Sequence, residues 1–249
     1  MRVVAVKVKR QIVPGDDLFG VLSQIRSLKE GSIVAISSKV VSICENRVFK
    51  KSSVKSRDGL IIKEADRYLP RKLVPKMRAL LTIKNHALLP SAGVDEFDGL
   101  YVLWPKDPGR TAKKIYSILK KRHHLAKLGV IICDSRSTPL RRGSTGFSVG
   151  YFGFSPLKFY RGKKALSGRI MRMRVANVVD ALAAAAVLVM GEGGERTPIA
   201  VIEGVSEIEF LNSFYQPKDP DERFEVDPGR DIFSPLFSGL PWQNKKSSR

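Results

Sequence analysis

Short apolar runs alternate along the chain with amphipathic or polar stretches, and this alternation restricts the fold more than any other feature of the sequence. Four runs of four to six residues are rich in Val and Ile, the β-branched residues that favour strands; they cover residues 3–8, 33–36, 129–133 and 199–202. The longer segments between them leave room for helices. The sequence therefore predicts an α+β protein with mixed sheets and packed helices.

The segments between these runs carry further structural predictions. Pro14-Gly15-Asp16-Asp17 is typical of a turn that caps a helix, here one extending to about residue 29. The periodicity predicts helices over 109–127 and 175–190, the second of them apolar on every face. The other predicted elements are strands at 80–83 and 100–104, an extended stretch over 37–48 with a hairpin turn at Glu45-Asn46, a strand at 60–62 followed by a polar helix, and a glycine-rich loop over 138–168.

The chain length and the distribution of proline indicate how the chain is organised. At 249 residues it is long enough for one large domain or two modest ones. Residues 1–210 are predicted to form the body, built as two lobes. Residues 211–249 are turn-rich, acidic and proline-rich, and we expect this extension to wrap the body or a second subunit.

Charge and cysteine content narrow the class of partners and the compartment. The formal net charge of +20, from 44 Lys and Arg against 24 Asp and Glu, predicts anionic partners. Only Cys44 and Cys133 are present, so a disulfide framework and a Cys-rich zinc site are both excluded. The N-terminus lacks a signal-peptide cleavage pattern, and the longest apolar run, 181–190, is too short to span a bilayer. We therefore expect a soluble cytoplasmic protein that does not enter a membrane.

Three acidic residues stand where apolar runs end, in a chain that is otherwise strongly basic. They are Asp95 after Ser91-Ala92-Gly93-Val94, Asp134 after the run ending at Cys133, and Glu192 in the glycine-rich segment that follows Met190. Carboxylate oxygens are preferred ligands of hard cations, and neighbouring glycines let a ligand approach the backbone. This pattern predicts a metal and nucleotide site, although the chain has neither the P-loop motif nor the dinucleotide-binding glycine motif.

Several short motifs occur in one order along the chain: Pro14-Gly15-Asp16-Asp17-Leu18, Ser37-Ser38-Lys39-Val40-Val41-Ser42, Ala92-Gly93-Val94-Asp95, Cys133-Asp134-Ser135, Pro139-Leu140-Arg141-Arg142-Gly143, Tyr160-Arg161-Gly162 and Met190-Gly191-Glu192. In this order and spacing the chain resembles the γ-glutamyl ligases of the deazaflavin coenzyme F-420. The resemblance covers roughly residues 1–210. Each motif is weak alone, but the joint pattern is specific.

The resemblance implies an activity and a set of site residues. Enzymes of that family use GTP and divalent metal ions to join the amine of L-glutamate to a carboxylate of the coenzyme precursor, and they form intertwined homodimers with interleaved lobes. It implies Mg or Mn as the metal, GTP or ATP as the nucleotide, and a folate as another conceivable acceptor. The implied metal ligands are Asp95, Asp134, Ser135 and Glu192. The implied nucleotide contacts are Ser38, Lys39, Asp98, Met190, Gly191, Gly193, Gly194, Glu195 and Thr197.

The chemistry of such a ligase explains these residue types. A carboxylate is a poor acyl donor, so the enzyme first phosphorylates it, and the glutamate amine then attacks the acyl phosphate. Metal ions on the phosphates neutralise the charge that develops during phosphoryl transfer. Arg141 and Arg142 would serve as catalytic residues, because their forked donors match a phosphate or a substrate carboxylate. Three anionic substrates in one site also predict positively charged walls.

The sequence departs from the family pattern at several positions. Asp98 replaces an asparagine, and a carboxylate there would repel phosphate or bind a further cation. Ile43 replaces a lysine that contacts the nucleotide. Ala165, beside Lys163 and Lys164, replaces an acid in a stretch expected to line the acceptor pocket. These changes leave the acceptor open, with the F-420 precursor and a folate as the two candidates.

Two other functions are compatible with the same residues. In the first, the basic stretches 47–78, 113–127 and 161–174, with interleaved aromatics, form a phosphate-tracking surface for nucleic acid. This hypothesis ranks second because it leaves Asp95, Asp134 and Glu192 without a role. In the other, the chain is an inactive family member that retains the dimer for interactions.

Overall fold

The computed structural model describes residues 1–73, 79–206 and 208–245 of the chain. The strands are β1 Arg2–Val6, β2 Ser32–Ser37, β3 Val48–Lys50, β4 Arg67–Tyr68, β5 Leu81–Lys84, β6 Ala87–Pro90, β7 Asp95–Phe97, β8 Leu100–Val102, β9 Leu128–Ser137, β10 Ser144–Phe152, β11 Leu157–Phe159, β12 Val175–Asn177, β13 Ile199–Glu203 and β14 Gln243–Asn244. The helices are α1 Leu18–Leu22, α2 Ser38–Cys44, α3 Arg57–Glu64, α4 Pro108–Arg122, α5 Val178–Met190 and α6 Ser234–Ser238. Mixed sheets with packed helices confirm the α+β prediction.

A five-stranded sheet in the order β1-β13-β2-β9-β10 forms the centre of the fold. All its neighbours are antiparallel except β2 and β9, which run parallel from Ser32 opposite Leu128 to Ser37 opposite Cys133. Side chains alternate across a strand, so β2 sends Val34 and Ile36 to one face and Ile33 and Ala35 to the other. Both faces are buried, which explains why these runs read as continuously apolar.

Helices cover the two faces of this sheet. On one face, α4 packs with α1 and α2 through Ile115, Leu119, Val21 and Val41, among other buried residues. On the other face, α5 packs together with the partly buried Phe210 and Phe224. It is not buried all round as predicted, because Leu188 is 83% exposed. In the described part of the chain, no helix is both long enough and apolar enough to span a membrane.

The described residues between 48 and 103 form a smaller region beside the central sheet. It contains the sheet β3-β8-β7, helix α3 and strands β4, β5 and β6, to which β14 from the C-terminal segment adds as an outer strand. Its own core joins Leu60 and Ile61 of α3 to Leu80, Val94 and Leu103. The predicted strand at 60–62 is therefore wrong, since Ser56 caps a helix there by accepting from the Gly59 amide. The polar helix predicted after it is also wrong for residues 65–73, which hold strand β4 and a short 3-10 turn, and residues 74–78 lie outside the described residues.

Three other local predictions need correction. The extended stretch over 37–48 contains helix α2, and the glycine-rich loop over 138–168 contains strands β10 and β11. The first helix is capped by Asp17, as predicted, but ends at Leu22 instead of near residue 29.

Residues 208–245 contact the rest of the chain at several points. The ring of Phe214 lies edge-on to Phe152 at 4.8 Å, and Phe224 meets Tyr151 at 5.7 Å. Strand β14 adds to β4 as the outer strand of its sheet. These contacts hold the segment against the body of the same chain.

Candidate functional site

A cavity of about 850 Å³ opens at the carboxyl ends of the parallel strands β2 and β9. Its wall is formed by residues 8–12, the start of α2, the β7–β8 hairpin, the end of β9, and the segment 187–198 that joins α5 to β13. The carboxyl ends of neighbouring parallel strands meet at one edge of a sheet, a common position for ligand sites. The cavity therefore collects residues that are distant in sequence.

Asp134 lies at the end of the buried part of β9. Its Oδ1 accepts from the Ser135 amide at 2.8 Å, and its Oδ2 accepts from the indole Nε1 of Trp104. Burial raises the pKa of Asp134 to about 6, and these two hydrogen bonds oppose that rise. Nearby Asp95 also raises this pKa and Lys39 lowers it, so the three charged groups share one electrostatic environment.

Asp95 follows a turn with unusual backbone geometry. Ser91, Ala92 and Gly93 have φ angles of 57°, 50° and 69°, so three successive residues adopt the left-handed conformation. Residues other than glycine pay for this conformation in steric strain, which persists only where the surroundings enforce it. Here the Ala92 amide donates to Thr82 Oγ1 at 2.8 Å. This turn sets the position from which Asp95 enters the cavity.

Lys39 holds the Asp95 side chain in place. Its Nζ lies 2.6 Å from Asp95 Oδ2 and 5.7 Å from the centre of the Phe97 ring. Helix α2 follows β2 directly, and this arrangement brings Lys39 to the β7–β8 hairpin. A predicted nucleotide contact and a predicted metal ligand thus lie together.

Glu192 and its glycines form the loop between α5 and β13. Glu192 accepts from Ser135 Oγ at 3.1 Å and from Ser144 Oγ at 3.3 Å. Gly191 has φ 78°, and a Cβ there would lie 2.4 Å from the Glu195 carboxyl carbon. Only glycine lets Glu195 fold back to accept from the Gly193 amide at 2.8 Å.

The same loop contributes the remaining predicted nucleotide contacts. Thr197 Oγ1 donates to the Met190 carbonyl at 2.5 Å, which closes the loop on itself. Met190, Gly191, Gly193, Gly194, Glu195 and Thr197 all line the cavity.

Asp98 occupies a tight turn between β7 and β8. Asp98 has φ 46° and Gly99 has φ 75°, and an Asp-Gly pair with two positive φ angles is a favoured two-residue hairpin turn. Its Oδ2 accepts from Gln11 Nε2 at 3.3 Å. The Asp98 carboxylate is therefore compatible with the local backbone, and Asp98 lines the cavity.

The charge balance of the cavity wall differs from that of the whole chain. Asp95, Asp98, Asp134, Glu192 and Glu195 face it, against the three cations Arg10, Lys39 and Arg196. The expectation of positively charged walls is therefore wrong for the cavity of a single chain. The phosphates of a nucleotide need more positive charge than these three cations supply in order to bind beside so many carboxylates.

Some predicted site residues lie away from the cavity. Ser38 is buried inside α2, and Ser37 lines the wall instead. Arg141 and Arg142 are exposed in the turn between β9 and β10 and do not line the cavity. Ala165 lies at the end of the β11–β12 hairpin, also outside the cavity lining.

Sequence reasoning missed several residues that shape the site. The strand pattern over 100–104 predicts nothing more for Trp104, although a buried indole N–H needs an acceptor and thus signals a polar contact. Gly93 was noted only within a motif. Arg10, Gln11 and Arg196 line the wall, and no sequence pattern marks them as close to Asp134.

The oxygen-rich wall can be compared with the needs of a divalent cation. Among the described residues, no three His, Cys, Asp or Glu side chains lie close enough to form a complete metal site. Mg²⁺ usually takes one or two protein carboxylates and completes its shell with substrate phosphates and water. The spread of Asp95, Asp134 and Glu192 around one cavity therefore fits a hard divalent cation that binds together with a nucleotide.

The comparison with known families identifies the class of protein. The family model described as F420-0:Gamma-glutamyl ligase matches residues 7–204, which include every strand of the central sheet except β1. The chain belongs to this family of ligases.

Individual relatives extend over most of the chain. Coenzyme F420:L-glutamate ligase of Methanopyrus kandleri is 30% identical over 255 aligned residues, covering 94% of this chain and 97% of that protein. The protein of the same name from Halorubrum lacusprofundi is 31% identical and covers 81% of this chain and 86% of its own length. The one from Methanothermobacter thermautotrophicus is 31% identical, with 76% and 83% covered.

Proposed function

We propose that this protein is a nucleotide- and divalent-metal-dependent γ-glutamyl ligase that joins L-glutamate to a carboxylate of coenzyme F-420 or its precursor. The observation that carries the proposal is the convergence of Asp95, Asp134, Glu192 and Lys39 on one cavity, in a chain of this ligase family. Relatives named as coenzyme F420:L-glutamate ligases support the choice of acceptor.

The reaction assigns roles to the residues around the cavity. A bound Mg²⁺ or Mn²⁺ would neutralise phosphate charge as the γ-phosphoryl group of GTP or ATP moves to the acceptor carboxylate. Asp95, Asp134, Glu192 and the Ser135 hydroxyl supply hard oxygen donors for it. The glycine-rich loop 191–194 leaves room for the nucleotide to approach backbone amides. Lys39 would exchange its contact with Asp95 for a phosphate oxygen once a metal takes that carboxylate.

The second half of the reaction forms the amide. The amine of L-glutamate attacks the acyl phosphate, inorganic phosphate leaves, and the amine gives up a proton. Arg141 and Arg142 remain candidates for binding phosphate or substrate carboxylate, and the β9–β10 turn would have to fold over the cavity for them to do so. Arg10 and Arg196 are already on the wall and are alternative cationic partners.

A folate remains the alternative acceptor. The exchange at Ala165 was one reason to leave the acceptor open, and it carries less weight because Ala165 does not line the cavity of its own chain. Nucleic acid as the ligand is less well supported. In the basic stretch 47–73, Arg47 pairs with Glu64, Lys51 with Glu96 and Arg71 with Asp58, which reduces the charge available for phosphates.

The test is a ligation assay read by mass spectrometry. Purified protein is incubated with L-glutamate, Mg²⁺ or Mn²⁺, GTP or ATP, and either the F-420 precursor or a folate. We expect glutamyl units to be added to the F-420 precursor only when metal and triphosphate are both present. Asp134→Asn keeps the size of the side chain and one of its two acceptor oxygens but removes the charge, and it should lower the rate at least about 100-fold.

The matched control is Asp66→Asn, the same exchange at an exposed carboxylate outside the cavity. It should leave the rate unchanged. If glutamate is added to the folate and not to the F-420 precursor, the folate is the acceptor. Absence of product with both acceptors, together with no metal-dependent nucleotide binding, would refute the ligase proposal.

We also propose a homodimer, on the basis of complementary surfaces. The hairpin 157–177 carries seven Lys and Arg and no acid, and it exposes Leu166 and Met173. Segment 208–231 carries seven Asp and Glu against three cations, and the adjoining Ile232 and Phe233 are exposed. The hairpin of one copy could dock on this segment of another, burying apolar surface and pairing opposite charges.

Light scattering after size exclusion checks this arrangement. The mass should be that of two chains, and Arg172→Glu in the hairpin should shift the equilibrium toward single chains. Arg122→Glu, at an exposed position at the end of α4, is the control and should leave the mass at that of two chains. A monodisperse single chain at high protein concentration would contradict the dimer.

A further inference from the structure

Trp104 lies behind the cavity wall and contacts the central candidate metal ligand. It is 2% exposed, and its ring packs against Phe147, whose backbone is paired with Asp134 across β9 and β10. The indole Nε1 donates to Asp134 Oδ2. Together with the Ser135 amide on Oδ1, this bond fixes the plane of the carboxylate. One lone pair on each oxygen is thereby used, and the others remain for a cation.

The turn that leads to Asp95 is shaped around the same indole ring. A Cβ at Gly93 would lie 2.1 Å from Trp104 Nε1, far inside contact distance. The left-handed turn Ser91-Ala92-Gly93 therefore wraps the indole edge that bears the N–H. Trp104 thus contacts both segments that carry the acids, one by a hydrogen bond and the other by close packing.

A partly buried charged cluster lies against the same ring. Lys84 is 8% exposed, and its Nζ is 5.2 Å from the centre of the Trp104 ring. Glu64 Oε2 accepts from Lys84 Nζ and from an Arg47 guanidinium nitrogen, both at 2.9 Å. Arg47 Nε also donates to the Trp104 carbonyl at 3.2 Å. Both the side chain and the backbone of Trp104 are therefore held.

The Lys84 cation affects the electronic properties of the indole. A cation near an aromatic face draws π-electron density toward itself. The ring N–H then carries more positive charge and is a stronger donor to a carboxylate. The cluster thus both fixes the indole ring and strengthens the one hydrogen bond that it makes to the cavity wall.

We propose that Trp104 is a positioning residue of the metal site: its N–H orients the Asp134 carboxylate toward the cation, and Lys84 strengthens that bond. This inference rests on the proposed function, which assigns Asp134 to the metal. Partners that hydrogen-bond to a metal ligand typically change metal affinity 10–100-fold when they are lost.

The first test measures Mn²⁺ affinity by electron paramagnetic resonance of the free ion, with and without GTP. Trp104→Phe keeps an aromatic ring but lacks the N–H, and it should weaken Mn²⁺ binding by about 10-fold to 100-fold. Trp242→Phe is the matched control, because the indole N–H of Trp242 donates to the Leu236 carbonyl near the C-terminus and Trp242 does not line the cavity. Far-ultraviolet circular dichroism and urea unfolding establish that each variant is folded.

The second test is spectroscopic and uses a folded protein in which Trp104 is intact. The chain has two tryptophans, so in the Trp242→Phe variant the single indole resonance of a proton–nitrogen correlation spectrum belongs to Trp104. Its proton should move upfield in Asp134→Asn and, by a smaller amount, in Lys84→Met. Mg²⁺ should also shift it, since the cation withdraws charge from the same carboxylate.

These measurements separate the two proposals. If the wild type binds Mn²⁺ and Trp104→Phe binds it with the same affinity, the positioning role is overturned while the ligase proposal stays intact. An indole resonance unaffected by Asp134→Asn, Lys84→Met and Mg²⁺ would overturn it as well. A wild-type protein that binds no Mn²⁺ even with GTP would overturn the metal assignment itself and, with it, this inference.

Discussion

Gly93 has no side chain, and the indole ring of Trp104 occupies the space where one would lie. This single absence allows the left-handed turn before Asp95 and the hydrogen bond to Asp134 to exist together. Gly99 also has a positive φ, 75°, but nothing lies within 4 Å of its missing Cβ. Gly99 is therefore required for its backbone conformation alone, whereas Gly93 is required both for its conformation and for the space that the indole ring occupies.

The pair makes a controlled prediction about stability. Gly99→Ala introduces only backbone strain and should lower the free energy of unfolding by about 1 kcal/mol. Gly93→Ala adds a collision with the indole and should lower it by about 3 kcal/mol or more. Urea unfolding of both variants provides the comparison. Equal losses would mean that the contact with Trp104 is not tightly packed.

At the scale of secondary structure, α2 shows how packing overrides local preference. Val40, Val41 and Ile43 are β-branched and suggested an extended stretch. The structure forms a helix instead, since its buried face completes the cluster beneath the central sheet. Glu45-Asn46 ends this helix and does not turn a hairpin. The Asn46 amide donates to the Ile43 carbonyl and the Arg47 amide to Ser42, the two bonds of a Schellman motif.

This end of α2 can be tested at Asn46, which has φ 54°. Asn46→Gly should leave the free energy of unfolding within about 0.5 kcal/mol of the wild type, because glycine adopts positive φ without strain. Asn46→Ala should lower it by about 1 kcal/mol. Thermal and urea unfolding measure both. An alanine variant as stable as the glycine variant would show that the left-handed cap contributes nothing.

At the scale of the whole molecule, the central sheet separates two cores that share strands β2 and β9. Cys133 lies at the end of the buried part of β9, next to Asp134, and is 1% exposed. Burial raises the pKa of the Cys133 thiol to about 12, so almost no thiolate forms at mildly alkaline pH. Cys44 is only partly buried, and burial raises its pKa to about 11.

The Cys133 thiol should therefore report on opening of the entire sheet. In a Cys44→Ala variant under mildly alkaline native conditions, a maleimide should not label Cys133 appreciably, and labelling should be complete in concentrated guanidinium chloride. Mass spectrometry of the labelled chain provides the measurement. Rapid labelling of the native variant would show that the cavity edge of β9 opens locally without unfolding of the sheet.

The candidate site was predictable where a residue's role follows from its own strand or loop. Asp134, Glu192 and the glycines after Met190 stand at the ends of apolar runs, and all of them line the cavity. Ser38, Arg141 and Arg142 belong to other motifs of the same series, but none of them lines the cavity. A motif gives an approximate position, whereas the direction of each side chain depends on the helix or turn that carries it.

By itself, the sequence determined the α+β class, the buried strands of the central sheet, the membership of the ligase family and the acids at the strand ends. These follow from local properties: β-branched runs, caps, glycines and the order of short motifs. Only the tertiary structure decided that Val40 and Val41 form a helix and that Trp104 supports Asp134. It also decided that the cavity wall is acidic in a basic chain. The reason is that burial and contact depend on which distant segments meet, and no local pattern encodes those meetings.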